Sequence, residues 1–474
     1  MSTSSDTRKI VVIGGGISGL AAAHFIKKIA RNQGRSVQVD LFEGESRPGG
    51  KFDARSENGY TVEAGPNGFL DSKPWTLDLV KDLGMEKELL PSDQSAAKRF
   101  IFSRGRLHEI KPPPAFLFSP LLSWRTRVGM IKEIFARPTP AGTDTTLAEF
   151  GTRRLGKEVV ERLLDPMVSG IFAGDPQQMS LRASFPRIAE LEEQYGGLIK
   201  AWRHISRDRR AAKKRGEEGG ISSGPSGPGG VLTSFKEGVS QLTDRLASDM
   251  GEHIHTGVKI NRLGVANGGL YLRTEGGEFK ANSIILATPA DSAAGILRDA
   301  APQSSTILSR IPYSPMAIVG VGYKLSDLRN PPVGFGYLIP KVENRKILGA
   351  LWTSSIFPGH RSPEGSFLIR VMVGGARDHE TPFLPDEELL TTVKAELSAT
   401  MGLTAEPSFS TIIRWKEAIP LYTVGHLDRL AEAETNLPPG VVLAGNAYRG
   451  VGINDCVREA EVAAEKVLSA LSHN

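Results

Sequence analysis

The spacing of apolar residues changes twice in the first forty positions. Ile10-Val-Val-Ile13 is a continuous β-branched run, as in a strand buried on both faces, and it meets Gly14-Gly15-Gly16. Beyond the glycines Ile17, Leu20, Ala21, His24 and Phe25 recur at helical spacing, and 37–42 is a second strand-like run. Strand, glycine turn, helix and strand make a βαβ unit. Helical periods recur at 76–83, 125–135 and 158–171, and Pro112-Pro-Pro114 excludes regular structure between the first two. Residues 216–230, rich in Gly, Ser and Pro, predict a loop or linker. Short strands are predicted at 259–263, 269–274, 283–287, 317–323, 335–339, 347–353 and 367–373, and their turn residues favour a mostly antiparallel sheet. An amphipathic helix at 386–401 and a strand at 410–415 follow, then a closing strand at 441–444 and helix at 454–471.

Composition narrows what such a chain does. With 474 residues, 40% hydrophobic and 23% charged, it is globular rather than disordered, and about three domains or one large composite unit are expected. A net charge of +5 is too small an excess to name a nucleic acid as partner, although a local cluster would change its meaning. Cys456 is the single cysteine, which excludes an intrachain disulfide, a cysteine zinc site and an iron–sulfur cluster. Redox chemistry would therefore need an imported cofactor. No secretory or transit segment precedes Ile10 and no apolar run is long enough to span a bilayer, so a cytoplasmic location is expected. The nine histidines show no metal-ligand spacing, and no Ser/His/Asp or Cys/His constellation stands out, so no catalytic side chain and no metal are assigned.

The strongest local signal is Gly14-x-Gly16-x-x-Gly19, set after a strand and opening a helix, with Glu43 closing the next strand. Gly14 permits the tight turn, Gly16 admits a pyrophosphate to the backbone, and Gly19 lets helix and sheet pack closely. The exposed N–H groups and the positive helix end suit an anion. An acid at Glu43 suits ribose hydroxyls and disfavours a 2′-phosphate, leaving FAD or NAD. Two further features favour FAD. Arg47-Pro-Gly-Gly50-Lys51 follows Glu43 and Gly44 where an NAD domain would begin its next helix, giving a second close approach flanked by cations. Some 400 residues later, Val441–Gly445 and Gly450-Val451-Gly452-Ile453 repeat the order of strand, glycine turn and helix start. A late helix of this kind aims its positive end at the flavin edge that gains negative charge on reduction.

These motifs, with Glu63-Ala-Gly-Pro-Asn-Gly-Phe-Leu70, Ser169-Gly-Ile-Phe-Ala-Gly-Asp-Pro176, Val373-Gly-Gly-Ala376, Arg414-Trp415, Ile419-Pro-Leu-Tyr422 and Gly450–Cys456, run over nearly the whole chain. Together they resemble the protoporphyrinogen oxidase family, which includes an oxygen-dependent coproporphyrinogen oxidase form, within the flavin amine oxidase superfamily. The resemblance implies an α/β plus α+β fold: a Rossmann-type FAD-binding domain, a substrate domain with a mixed or antiparallel sheet, and a helical membrane-facing domain. It divides the chain into FAD-binding parts at 8–95, 231–290 and 411–474, a helical membrane-binding part at 96–210 and a substrate-binding part at 291–410.

Residue by residue, the resemblance implies FAD held by Gly14, Gly15, Gly16, Ile17, Ser18, Gly19, Glu43, Gly44, Arg47, Gly50, Lys51, Gly65, Pro66, Asn67 and Gly68. It adds the Val258 backbone on the adenine side, and Trp415, Gly445, Val451, Gly452 and Ile453 near the flavin. Arg99 would anchor a substrate propionate, while Leu338, Leu351 and Met372 would wall the tetrapyrrole, with Asn67 near its face. Met372 stands where relatives often have phenylalanine, which keeps an apolar wall and removes ring stacking.

Phe116, Leu117, Phe118, Leu121, Leu122 and Trp124, followed by Arg125 and Arg127, read either as an apolar membrane wedge or as a core or tunnel wall. Seven basic residues in 203–215 read either as its basic patch or as a solvated loop. The implied activity is six-electron oxidation of protoporphyrinogen IX by O₂ with H₂O₂ formed, on the inner face of the cell membrane and in a homodimer. Coproporphyrinogen III oxidation is the near alternative, and an amine oxidase or a non-catalytic FAD-bound membrane adaptor are more distant ones.

Overall fold

A computed structural model describes residues 8–111, 119–131, 133, 136–140, 142–214, 230–266 and 269–471, apart from the side chains of 131 and 209–214. Its first layer is a five-stranded parallel sheet in the order Ile254–His255, Val37–Phe42, Arg8–Ile13, Ser283–Leu286, Val441–Leu443. The sheet thus draws on the beginning, middle and end of the chain. Helices Ile17–Asn32 and Ile453–Ala470 pack on it side by side, with Ala22, Ala23, Ala460, Ala463 and Ala464 sharing one core. Small side chains at this seam let the two helix axes approach.

The run at 283–287, expected in an antiparallel sheet, is instead a central strand of this parallel one, in register with Ile10–Ile13. Ile284, Ile285 and Leu286 are fully buried, the two-faced burial that a parallel sheet under helices imposes. The strand expected at 259–263 lies at Arg262–Ala266, in a separate antiparallel sheet with Gly269–Thr274 and Gly277–Ala281.

A seven-stranded mixed sheet forms the second layer, in the order Phe409–Pro420, Tyr313–Lys324, Ser366–Gly374, Ile347–Leu351, Gly336–Leu338, Arg99–Ser103, Arg106–Glu109. All its pairings are antiparallel except Gly336–Leu338 with Arg99–Ser103. Alternation gives it two apolar faces. Ala317, Val319, Val321, Ile369, Val371 and Val373 pack with Leu389, Val393 and Leu397 of helix Asp386–Met401. Met316, Ile318, Leu368, Met372, Ile413 and Leu351 make the opposite face.

This sheet moves two expected boundaries. Residues 99–109, assigned to the helical membrane-binding part, are its last two strands, and the division at 410/411 falls inside Phe409–Pro420. Pairing between distant segments decides both, Arg99–Ser103 with Gly336–Leu338 and Phe409–Pro420 with Tyr313–Lys324, and no local pattern carries it.

The helical portion is anchored by a buried ion cluster. Arg154 bonds Glu192 Oε1 through Nε at 2.8 Å and Glu133 Oε1 through Nη1 at 3.0 Å, with all three side chains at most 5% exposed. The helix expected at 125–135 spans Trp124–Ile131, and the one expected at 158–171 contains a π-helical turn at Val160–Leu164 before Asp165–Phe172. Leu121 and Leu122, counted in the apolar wedge, are 1% and 2% exposed and belong to the protein interior, whereas Trp124 is 68% exposed. Phe116, Leu117 and Phe118, the interruption at 112–114 and most of 216–230 lie outside the described residues. Among those described, no helix is long and apolar enough to cross a membrane.

Candidate active site

At the C-terminal edge of the parallel sheet the first glycine turn is built by close approach. Gly14 has φ +106°, and a Cβ there would sit 2.7 Å from the Ala287 carbonyl oxygen. Gly16 differs: it caps helix Ile17–Asn32 in an extended conformation with no side-chain hydrogen bond, and a Cβ there would meet nothing within 4 Å. No protein neighbour requires glycine at this position. The first-turn N–H groups of Ile17, Ser18 and Gly19 have no helical acceptor, and no acidic side chain occupies that turn. Space and positive charge coincide here, which fits a pyrophosphate.

The Glu43 carboxylate is fixed at the adjacent strand end. Its Oε2 accepts from Gly15 N at 2.6 Å and its Oε1 from Glu45 N at 2.8 Å. Gly44 lies beside Lys259. Val258 donates its N–H to the Glu43 carbonyl at 2.9 Å, leaving only its own carbonyl for an adenine edge.

The second glycine turn lies against the first. Gly49 N donates to Gly15 O at 2.7 Å, and a Cβ on Gly50 would come 3.4 Å from Gly16 Cα. Arg47 is committed to Asp53 at 3.1 Å and is exposed, so Lys51 is the cation this turn turns inward. Lys51 Nζ lies 5.6 Å from the Tyr313 ring centroid. Burial pulls its pKa down to about 8, opposed by the negative charges of Glu417 and Asp291.

Residues 65–68 complete this side. A Cβ on Gly65 would overlap the Lys51 carbonyl oxygen and one on Gly68 the Thr233 carbonyl oxygen, so this segment fits only as bare backbone around Pro66. Both polar side-chain atoms of Asn67 are buried without a hydrogen-bond partner, as are Thr288 Oγ1 and Tyr448 Oη. A buried amide with no partner costs free energy that a bound polar group would recover.

The closing elements repeat the first turn. Gly445 faces Ser18 Oγ at 4.0 Å from an added Cβ, and Gly452 caps helix Ile453–Ala470 in an extended conformation, again with no side-chain hydrogen bond. Val451 is half-buried and Ile453 buried beside it. Two neighbouring helix starts therefore lack a side-chain cap, and the second, unlike the first, carries an acid, Asp455, in its first turn. Lys73 holds Asp455 of the second at 2.8 Å. Burial pushes the Cys456 thiol up to about 12, so it stays protonated and is not an activated nucleophile.

Leu338, Leu351 and Met372 come together with Phe335, Trp415 and Ala64 in one apolar cluster on the open face of the mixed sheet. Gly170 of helix Asp165–Phe172 closes on Leu338, where a Cβ would lie 2.7 Å from Cδ1. Trp415 donates its Nε1–H to the Ala64 carbonyl at 2.7 Å. Arg99 stands in parallel register with Gly336, its guanidinium 5.0 Å from the Phe335 ring centroid. Among the described residues no carboxylate pairs with it. Its side chain is exposed at the surface, yet the surrounding protein lowers its pKa below the ordinary arginine value through desolvation.

Sequence reasoning missed a buried group behind this wall, formed by Glu63, Arg361 and Arg370. Glu63 accepts from Val239 N at 3.1 Å and lies 3.6 Å from Arg361 Nη2, and burial pushes its carboxyl up to about 7. Arg361 also bonds the Lys236 and Phe235 carbonyls at 2.8 and 2.7 Å. The available signal was Arg370 itself, a lone charge inside the apolar run Phe367-Leu-Ile-Arg-Val-Met-Val373.

Comparison with known proteins gives the family of the chain. The sequence profile of the family described as flavin containing amine oxidoreductase matches residues 17–468. The chain belongs to that family, and its cofactor is FAD. Coproporphyrinogen III oxidase of Bacillus subtilis (strain 168) is 31% identical, covering 98% of this chain and 99% of that protein. Protoporphyrinogen oxidase 1, chloroplastic, of Arabidopsis thaliana is 30% identical, covering 98% and 89%. A solved structure provisionally named protoporphyrinogen oxidase, from Exiguobacterium sp. 255-15, matches with a TM-score of 0.81 at 26% identity, covering 99% of this chain and 100% of that one.

Proposed function

We propose that the protein oxidises protoporphyrinogen IX to protoporphyrin IX, with O₂ as acceptor and H₂O₂ as product. The observation that carries the reading is the apolar wall of Leu338, Leu351 and Met372 beside an arginine that has no carboxylate partner among the described residues. An apolar macrocycle with propionate arms matches both features. FAD, when bound, supplies a two-electron acceptor that delivers its electrons to O₂. Removing six electrons and six hydrogens from one porphyrinogen balances against three O₂ reduced to three H₂O₂.

The residues divide the remaining work. The Arg99 guanidinium binds a carboxylate through paired N–H donors. The leucines and Met372 orient the ring and exclude water. Asn67 offers an amide to whichever polar edge faces it, and the two uncapped helix starts at Gly16 and Gly452 hold negative charge. No protein acid or base is assigned.

Coproporphyrinogen III is the second reading, favoured by the 31% identity and nearly complete coverage of a relative bearing that name. Side-by-side turnover of the two porphyrinogens with H₂O₂ detection separates them, and turnover of neither would sink the proposal. Arg99→Ala is expected to raise KM for the tetrapyrrole about 10- to 100-fold, the worth of a charge-assisted hydrogen-bonded pair, with FAD content unchanged. An unaltered KM would remove its role as propionate anchor.

The same reading places the protein in the cytoplasm, peripherally on the inner face of the cell membrane and as a homodimer. Exposed Trp124, Val128 and Trp202, with exposed Arg125, Arg203 and Arg207 nearby in sequence, support the membrane contact. The side chains of 209–215 lie outside the described residues. Vesicles containing anionic lipid should retain the protein at low salt and release it at high salt; equal elution from neutral and anionic vesicles would count against this contact.

A further inference from the structure

Strand Tyr60–Glu63 and the segment that follows it cross the open face of the mixed sheet. They fit because the sheet has a gap there. A Cβ on Gly320 would lie 2.7 Å from Val62 Cγ2, and one on Gly322 2.5 Å from Tyr60 Cε1. At the end of this gap three successive backbone carbonyls of the crossing segment are bonded by side chains of the sheet. Arg370 Nε donates to Glu63 O at 2.8 Å, Trp415 Nε1 to Ala64 O at 2.7 Å, and Arg370 Nη2 to Gly65 O at 2.5 Å. One guanidinium thus spans the carbonyls of residues 63 and 65 while a second side chain takes that of residue 64, where the chain leaves the strand and bends.

The other ends of these two side chains lie in the proposed substrate wall. Arg370 is opposite Leu351 in the strand register and two residues from Met372, so all three share a face. Trp415 joins the same cluster. On its far side the crossing segment touches the second glycine turn, where Gly65 lies against the Lys51 carbonyl. Arg370 is 5% exposed, and burial lowers its pKa to about 10, which leaves it charged at neutral pH. The Glu63 carboxylate offsets part of its charge, and among the described residues its hydrogen bonds go to backbone carbonyls, so burying it is costly unless those bonds are fixed.

We propose that Arg370, assisted by Trp415, is a positioning residue that fixes segment 63–68 to the substrate wall, so that cofactor and substrate faces keep one separation. The inference rests on the flavin family membership, and only its kinetic readout rests on the porphyrinogen reading. The test is hydrogen exchange of the FAD-loaded protein in wild type, Arg370→Lys and Trp415→Phe. Lysine reaches one carbonyl where arginine reaches two, and phenylalanine keeps the ring but loses the donor.

Backbone amides of 63–70 are expected to exchange at least tenfold faster in both variants, with those of 313–324 and 366–374 unchanged. In the same variants kcat for the porphyrinogen that wild type oxidises should fall at least tenfold at constant KM. Unchanged exchange at 63–70, or loosening spread equally over the sheet, would overturn the positioning role. If Arg370→Lys does not fold, Trp415→Phe decides the matter through the same peptides. A wild type that oxidises neither porphyrinogen overturns the substrate reading instead, and the exchange data then judge the positioning role alone.

Discussion

Gly16→Ala is expected to yield a folded protein that purifies without its yellow colour. Alanine fits the extended backbone at Gly16, and its methyl group would meet no protein atom within 4 Å. Its only local cost is the weaker helix-capping propensity of alanine, about 1 kcal/mol. The cofactor is affected far more. A methyl group projecting from Gly16 occupies the space through which an anion approaches the first-turn N–H groups. Losing even two charge-assisted hydrogen bonds, at about 1.5–3 kcal/mol each, weakens binding by at least 100-fold.

Gly19→Ala provides the contrast, because its Cβ would overlap the Gly14 carbonyl oxygen and force the helix off the turn. That variant should lose both cofactor and melting temperature, whereas Gly16→Ala should lose cofactor with an apoprotein melting temperature close to wild type. FAD titration with thermal melts of both apoproteins checks the pair. A yellow Gly16→Ala protein with wild-type affinity would show that this turn does not hold the pyrophosphate.

Local chemistry explains why this turn was legible in the sequence. Strand Arg8–Ile13, helix Ile17–Asn32 and strand Val37–Phe42 are adjacent in sequence, and their apolar spacing and glycines depend only on neighbours. The helices at Asp386–Met401 and Ile453–Ala470 followed from 3.6-residue spacing in the same way. Ser283–Leu286 was seen as a strand but misassigned to a sheet, because a short apolar run does not state which partners flank it. Ile254–His255 is two residues long and exists only by pairing with Leu41 and Phe42, so periodicity could not find it. The linkage of Glu63, Ala64 and Gly65 to Arg370 and Trp415 spans more than 300 residues. The sequence displays its parts, an odd charge in an apolar strand and an Ala-Gly turn, but not their meeting.

Lys51 leads to the second large effect, a pH dependence whose sign is fixed by burial. In the chain without cofactor its pKa is pulled from 10.5 to about 8. An anionic cofactor beside the ammonium favours the charged form and raises that value, so binding takes up a proton. Affinity for FAD should therefore be flat below about pH 8. Above it, affinity should fall by up to tenfold per pH unit until the pKa of the bound state is passed.

Apoprotein stability runs the other way. Between about 8 and 10.5 the unfolded chain holds a proton on Lys51 that the folded chain has lost, so this group's contribution rises with pH, by roughly 3 kcal/mol over the window. The groups facing Lys51 do not reverse either slope. Burial and Asp291 raise the Glu417 carboxyl pKa, and burial raises Tyr313 well above its ordinary value and above this pH window. Lys51→Met should bind FAD at least tenfold more weakly at pH 7 and show no fall in affinity between pH 8 and 9.5. Fluorescence titration of FAD across that range, with urea melts of the apoprotein, tests both slopes. A wild-type affinity that stays level through pH 9.5 would remove Lys51 from the cofactor's charge balance.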